Sequence, residues 1–344
     1  MTRTSPPTLR LLAGCLPLLL TIASAAPAAI GQHQRSTLQA HGGSHRSSRP
    51  QDEQQPTAGN GTIARFRRAH GDFFAGSGVR APIRLAYNYV PDASLEQEQG
   101  SFDLMEWDFK ATVPIPISRD WFVVGGALAG QRRYQFDGVA GLFDETLHRY
   151  DLRLGVGHFV DDDLMVQAYW QPGIYSDLDG TLHAEDWRLW YARAFAVWRT
   201  GEDLFLKVGA LVTDAIDTTA VPAAGFAWQI DDRWRLDVLL PKDAELSYQA
   251  TDGLRLFVGL DVEADEYHIR NPAAFGKMRR SVNVQEVYAF AGFEQMLDAH
   301  FSFFFRGGTT VTGRYEWGYG PGTPNYEGEL EPGWFGNFGF GFRF

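Results

Sequence analysis

Gly336-Asn337-Phe338-Gly339-Phe340-Gly341-Phe342-Arg343-Phe344 is the stretch that decides the fold. Phenylalanine occupies every second position, and small or charged residues occupy the positions between. A period of two is typical of a β-strand whose two faces meet different surroundings. One face is wholly aromatic, and no later residue could cover it. We therefore expect a strand that presents its aromatic face to lipid.

The same alternation recurs upstream of this stretch. The segment 105–115 places six apolar residues on one face, opposite Glu106, Asp108 and Lys110 on the other. A helix would scatter these residues around its circumference, so the pattern favours strands. Similar segments occupy 83–89, 149–156, 204–212, 254–263 and 287–293. Around 121–136 and 186–199 both faces carry apolar residues, which predicts a partly apolar interior or a bulge that shifts the register.

The connections between these segments alternate in length. Short ones lie near 117–120, 161–163, 200–203, 231–233, 251–253 and 295–299, and long ones near 91–101, 137–146, 174–185, 214–220, 264–280 and 313–333. Transmembrane β-barrels have tight turns at one end and longer loops at the other. The alternation predicts an all-β chain that forms a single up-and-down antiparallel transmembrane β-barrel, closed by the C-terminal strand.

The strand count depends on one short hairpin. If 234–240 and 244–250 pair around Pro241-Lys242-Asp243, the barrel has about 14 strands, and otherwise it has 12. Both counts are even, which places the two termini at the same end. Trp121, Trp198 and Trp234 each lie beside a predicted short turn, where an indole ring suits a membrane–water interface.

A different kind of sequence precedes the barrel, because the 344-residue chain has no aromatic residue before Phe66. Residues 1–25 combine Arg3 and Arg10 with an apolar run and Ala23-Ser24-Ala25, which predicts a secretory signal peptide. Residues 26–65 are rich in Ser, Gly, Gln and Pro and predict a disordered periplasmic linker. Residues 66–344 form the predicted barrel domain.

Charge and cysteine content exclude several classes of protein. The formal net charge is −11 and no basic cluster stands out, which argues against binding to nucleic acid. The single cysteine, Cys15, falls in the predicted signal peptide, so we expect no disulfide in the mature chain.

The predicted signal peptide, the alternating strands and the terminal Phe-Gly-Phe-Gly-Phe-Arg-Phe resemble outer-membrane β-barrels of Gram-negative bacteria. The resemblance implies that the barrel-assembly machinery reads the last strand. The implied assembly signal is Phe338, Phe340, Phe342 and Phe344. The stretch 239–248, followed by Thr251-Asp252-Gly253, is similar to an uncharacterised family of such barrels, a domain of unknown function. The resemblance implies a location in the cell outer membrane, with membrane lipid and lipopolysaccharide as further partners, and leaves the oligomeric state open.

The inward faces of the strands predict a lumen lined by both signs of charge. The candidate lumen-lining residues are Glu106, Asp108, Lys110, Arg149, Asp151, Arg153, Lys207, Arg235, Asp237, Arg255, Asp261, Glu263 and Arg343. Mixed signs can form ion-pair ladders that brace the wall, or a transverse field across a narrow pore. Eight-stranded barrels are filled by side chains and barrels of 16–18 strands hold an aqueous channel, so 12–14 strands lie between.

Three functions follow from this pattern. The first is a passive channel or small-solute transporter, and the alternative is a structural or surface-contact barrel without transport. A remote third is an outer-membrane hydrolase, because His300-Phe301-Ser302 has the His-x-Ser spacing of a lipid A deacylase family. We expect no enzyme, no cofactor and no metal site. An open lumen favours the channel, and a lumen crossed by arginine–carboxylate pairs favours the structural barrel.

Overall fold

The computed structural model describes His70 and residues 83–94, 100–137, 144–189, 191–213, 219–270, 280–318 and 324–342. The predicted signal peptide and linker, together with Arg343 and Phe344, lie outside these residues. Within the described ranges, no helix has the length and apolar character that crossing a membrane requires.

The described residues form one sheet of 17 strand segments. The segments are β1 (Ile83–Ser94), β2 (Ser101–Pro116), β3 (Trp121–Asp137), β4 (Glu145–Phe159), β5 (Leu164–Trp170), β6 (Gly173–Ser176), β7 (Trp187–Arg188), β8 (Ala192–Arg199), β9 (Leu204–Thr213), β10 (Thr219–Gln229), β11 (Trp234–Leu240), β12 (Asp243–Gln249), β13 (Leu254–Ile269), β14 (Arg280–Met296), β15 (Phe301–Gly318), β16 (Pro324–Leu330) and β17 (Trp334–Phe342). A turn of 3-10 helix covers Ala184–Asp186.

These segments make 14 wall strands, because three strands are interrupted. β5 and β6 both pair with β4, β7 and β8 pair with that interrupted strand, and β16 and β17 both pair with β15. β17 also pairs antiparallel with β1, from Ile83 opposite Phe342 to Tyr89 opposite Gly336, which closes the sheet. The antiparallel up-and-down barrel is thereby confirmed. The short β11–β12 hairpin is present, so the count is 14 and the alternative of 12 is wrong.

Six short turns at one end of the barrel, which we call the turn end, share one geometry. In each, the first N–H donates to the carbonyl four residues later, as Ile117 does to Trp121 at 2.9 Å. The other five pairs are Val160 with Leu164, Thr200 with Leu204, Ile230 with Trp234, Ala250 with Leu254 and Leu297 with Phe301. In five turns the second side chain accepts backbone N–H groups, and these residues are Ser118, Asp161, Asp231, Thr251 and Asp298. The sixth turn has Gly201 at that position.

We call the end of the barrel opposite these turns the loop end. On one side of the loop end the wall is lower. β11 and β12 have seven residues each. At ~3.3 Å per residue and a tilt of ~40°, such a strand rises about 18 Å, against an apolar band of about 25 Å. β10 pairs with β11 only from Ala224 onward, and β6 crosses to meet β13 in parallel at Ser176 and His268. The loop end is therefore narrower than the turn end.

Two predicted long connections are shorter than expected. β13 continues to Ile269 and β15 continues to Gly318, so the expectations of loops over 264–280 and 313–333 were partly wrong. At the outer ends of these strands the buried inward side chains are apolar, namely Tyr267, Ile269 and Tyr315. The positions between them carry polar residues that are only partly buried, such as Glu266, His268, Arg314 and Glu316, so the sequence pattern is reversed there.

The outward face of the wall is apolar. Phe338 and Phe340 are 45% and 50% exposed, as the terminal alternation predicts, and Trp121, Trp198 and Trp234 are exposed near the turn end. Toward the turn end, the inward face of β17 is small because Phe304 of β15 and the backbone of β1 leave no room for a side chain. A Cβ atom added at Gly339 would lie 2.1 Å from the backbone oxygen of Leu85 and 2.6 Å from Cζ of Phe304.

Candidate functional site

An aromatic and aliphatic cluster fills the lumen at the loop end. We call it the loop-end core, and its members are Val90, Ala93, Phe102, Leu104, Tyr134, Leu147, Tyr175, Tyr267, Ile269, Val282, Val284, Tyr288, Tyr315 and Phe335. Its rings meet across the lumen, since Tyr175 of β6 lies 5.5 Å from Tyr267 of β13 between centroids. None of these members comes from β9 to β12, the low side of the wall. The loop-end core therefore closes the narrow part of the barrel.

Three arginines cross the lumen beneath the loop-end core, and we call them the arginine layer. Arg132 of β3 is 1% exposed, and its Nη2 lies 2.9 Å from Oε2 of Glu263 on β13, a strand on the far wall. The same guanidinium lies 3.2 Å from Glu106 and 3.6 Å from Glu286. One cation thus holds three carboxylates from three different strands.

Arg149 and Arg188 complete the arginine layer by sharing Asp265. Arg149 lies 2.6 Å from Asp108 on β2 and 2.7 Å from Asp265 on β13. Arg188 of β7 lies 3.1 Å from the other oxygen of Asp265 and donates to Oγ1 of Thr213 at 2.8 Å. The layer therefore ties β2, β4, β7 and β9 to β13 through the interior.

Hydrogen bonds connect the arginine layer to the loop-end core. The hydroxyls of Tyr288 and Tyr315 donate to the two oxygens of Glu286 at 2.6 Å and 2.7 Å. A buried carboxylate needs such donors, because burial without them costs several kcal/mol of solvation. The two layers form one obstruction, so the lumen is crossed by arginine–carboxylate pairs rather than open.

A cavity of ≈ 580 Å³ lies inside the barrel against the arginine layer. Ten of the predicted lumen residues line it: Glu106, Asp108, Lys110, Arg149, Arg153, Lys207, Asp237, Arg255, Asp261 and Glu263. The structure places Asp151 beside the cavity, where it accepts from Tyr175 at 2.9 Å and from Gln171 at 3.2 Å. Arg235 lies 3.2 Å from Asp237, and Arg343 is outside the described residues.

Most charges around the cavity are paired along the wall. Lys207 lies 2.6 Å from Asp237, on strands separated by β10. Arg255 lies 2.6 Å from Glu245 and 2.9 Å from Glu294 on the two strands beside it. These pairs are the ion-pair ladders expected from mixed signs, and they neutralise much of the cavity wall.

The turn end of the lumen is apolar. Phe122, Val124, Phe159, Met165, Val197, Phe205 and Ala227 form a second buried cluster there, which agrees with the partly apolar interior predicted for 121–136 and 186–199. His70, which precedes β1, stacks on Phe159 with ring centroids 3.6 Å apart. His70 therefore lies in the turn-end interior.

The predicted lumen set left out several interior residues, among them His70, Arg132, Arg188, Asp265 and Glu286. It also left out Arg193, which lines the cavity. Arg132 and Arg188 fall in the two segments where both faces are apolar, so alternation does not assign them a side. Glu286 lies two residues before Tyr288, so alternation places both on the inward face. A register shift between Val287 and Tyr288 interrupts the strand pairing at this point. His70 lies outside any periodic pattern and carries no sequence signal.

The hydrolase motif is not assembled as a reacting pair. Ser302 is buried and its Oγ makes no hydrogen bond in the described part of the chain, while His300 lies in an exposed turn. Within the same residues, no group of three His, Cys, Asp or Glu side chains could hold a metal ion.

Three solved structures resemble the chain over most of its length. A deltaS2 mutant of TodX, described as a monoaromatic hydrocarbon channel, is 9% identical at a TM-score of 0.43, covering 78% of this chain and 92% of its own. An outer membrane channel from Pseudomonas putida F1 is 10% identical at 0.41, covering 77% and 97%. A FadL homologue from Pseudomonas aeruginosa is 12% identical at 0.40, covering 81% and 94%.

The family comparison is more direct. No curated protein matches the chain. The model of a protein family matches residues 140–319, which is more than half of the sequence and includes the short β11–β12 hairpin. The chain belongs to that family, which is described as Domain of unknown function (DUF6268).

Proposed function

We propose that the chain is a Gram-negative outer-membrane barrel that admits a small solute through a normally closed lumen. The exposed apolar outer wall, the tryptophans near the turn end and the predicted signal peptide support this location. The turn end then faces the periplasm, as short turns do in such barrels. Membrane lipid, lipopolysaccharide and the barrel-assembly machinery are the proposed partners, and no covalent chemistry is part of the proposal.

The observation that carries this function is the polar cavity inside the wall. Its ≈ 580 Å³ falls within the range of about 300–1,000 Å³ typical of small-molecule sites. A barrel that only anchors or braces has no need to keep such a space, and eight strands suffice to fill an interior with side chains. The interior therefore suits one small solute at a time.

Passage requires the arginine layer to open. The closest contacts that must part are those from Arg149 to Asp265 and from Arg132 to Glu263, at 2.7 Å and 2.9 Å. Because these pairs also hold the loop-end core in place, we expect rare, small openings rather than the steady conductance of a wide pore.

Conductance of the refolded mature chain, residues 26–344, in planar bilayers tests this function. Arg132→Gln combined with Glu263→Gln removes this crossing pair, together with the contacts of Arg132 to Glu106 and Glu286, without changing net charge. We expect this variant to open more often than the unmodified barrel. Lys207→Gln with Asp237→Gln is the matched control, since it removes a pair that lies along the wall.

The alternative is a structural or surface-contact barrel, and the arginine layer itself favours it. Under this alternative, the unmodified chain and both double variants fold into heat-modifiable barrels. None of the three conducts in planar bilayers or passes solutes in liposome swelling. That result would overturn the channel.

A further inference from the structure

One wall of the cavity differs from the others in its charge balance. On the wall formed by β4, β5 and β8, Arg153 donates only to neutral groups, to Oε1 of Gln171 at 3.1 Å and Oγ1 of Thr112 at 3.1 Å. Arg193 lies over the ring of Tyr169, 4.9 Å from its centroid. Among the described residues, neither guanidinium lies within ion-pair distance of a carboxylate.

The strand register brings the two arginines together. Gly155, Tyr169 and Arg193 lie side by side on three adjacent strands, and Arg153 precedes this row by two residues on the same face. Adjacent strands are about 4.8 Å apart, so two long side chains that converge over β5 can contact one ligand. Gly155 matters here, because a Cβ at this position would lie 2.6 Å from the Tyr169 ring. The missing side chain leaves room on β4 for the Tyr169 ring.

Both arginines and Tyr191 line the cavity, so the site is reachable from its interior. Two like charges in a confined, partly desolvated space repel each other, and an anion between them would remove the repulsion. Guanidinium groups also match the oxygens of carboxylates and phosphates with paired hydrogen bonds. Elsewhere on the wall, Lys207 and Arg255 already have carboxylate partners, so an anion gains less there.

We infer that Arg153 and Arg193 form a binding site for a small solute that carries an oxyanion, either a carboxylate or a phosphate. The inference deepens the proposed function and depends on it only for the route by which the solute arrives. Binding in detergent micelles requires no transport. A barrel that binds an anion but never conducts would keep this site and overturn the channel.

Thermal unfolding of the refolded mature chain in detergent tests the site, with sodium phosphate or sodium acetate as the probe and sodium chloride at equal ionic strength as the reference. A ligand that binds only the folded state raises the unfolding midpoint in a saturable way. We expect at least one oxyanion to raise it beyond chloride. A phosphate-only response assigns the site to phosphates, and an acetate-only response assigns it to carboxylates.

Single variants locate the effect. Arg153→Gln and Arg193→Gln should each weaken the apparent affinity by about tenfold or more, since each loses a charge-assisted contact. Arg199→Gln, at an arginine near the turn end that pairs with Asp163, should leave the affinity unchanged. If Arg153→Gln does not fold, Arg153→Lys replaces it. Lysine keeps the charge but cannot make the paired hydrogen bonds of a guanidinium, so this variant should bind the oxyanion less tightly than the unmodified chain. Responses equal to chloride, or responses that persist in both glutamine variants, would overturn the site.

Discussion

Gly339→Ala tests whether the small inward face of the last strand is a packing requirement. The added methyl group would lie 2.1 Å from the backbone oxygen of Leu85 and 2.6 Å from Cζ of Phe304, each about 1 Å inside ordinary contact. Phe304 is 4% exposed, and the Arg84 guanidinium lies 3.7 Å from its centroid, so the ring has little room to retreat. Overpacking of this kind costs about 1–3 kcal/mol of unfolding free energy. We expect a value in the upper half of that range.

Gly336→Ala is the control on the outward face of the same strand, where an added Cβ meets no atom within 4 Å. The control should be neutral or stabilising by up to about 1 kcal/mol, since alanine restricts the unfolded chain. The measurement is the urea unfolding midpoint of the refolded barrel in micelles, followed by tryptophan fluorescence. Phe304→Leu in the Gly339→Ala background should recover part of the loss. Equal midpoints for the two glycine variants would refute the packing argument.

Three further predictions concern the turns and the last residue. Gly201→Asp supplies the side-chain acceptor that the other turns have and should raise the unfolding free energy by about 0.5–1.5 kcal/mol in urea titrations, whereas an unchanged or lower midpoint would contradict the shared geometry. The backbone N–H groups of Trp234 and Arg233 hold the pKa of Asp231 below its ordinary value, and those of His300 and Phe301 do the same for Asp298. Because the folded-state pKa of each carboxyl is lowered, its contribution to stability is complete above about pH 4 and is lost as the pH falls through the folded pKa. In the double variant Asp231→Asn, Asp298→Asn, the unfolding midpoint should therefore fall less steeply as the pH is lowered. An identical slope in the variant and the unmodified barrel would contradict this contribution. Deletion of Phe344 should lower the yield of heat-modifiable barrel in cell membranes, and an undiminished yield would show that this residue is not part of the assembly signal.

The fold was predictable because its signals are local. Alternation in 105–115 and the terminal stretch assigns each side chain to a face without knowledge of the partner strand. The turns carry their own chemistry, as in Ile230-Asp231-Asp232-Arg233-Trp234, where one carboxylate accepts two backbone N–H groups. Only the short hairpin at Pro241 left the count open, since seven-residue strands are brief for a transmembrane wall.

The interior was predictable only in part because pairing across the lumen has no local signature. Alternation placed Arg149 and Asp108 on the inward face, and the structure puts them 2.6 Å apart on strands separated by β3. The contact from Arg149 to Asp265 depends on the narrowed loop end, where β6 meets β13. The alternation of residues within β4 and β13 does not indicate that these two side chains meet across the lumen. The closed lumen is therefore a property of the assembled barrel rather than of any segment.

The six turns and the closing strand pair differ in how far along the chain their partners lie. Each turn joins residues four positions apart, so its hairpin can form while the rest of the chain is still unpaired. The pairing of Ile83–Tyr89 with Gly336–Phe342 joins opposite ends of the described chain and carries the largest loop-closure cost. Hairpins should therefore form first and this seam last. An interrupted assembly would expose two unpaired strand edges along a single line, the place where another chain could insert.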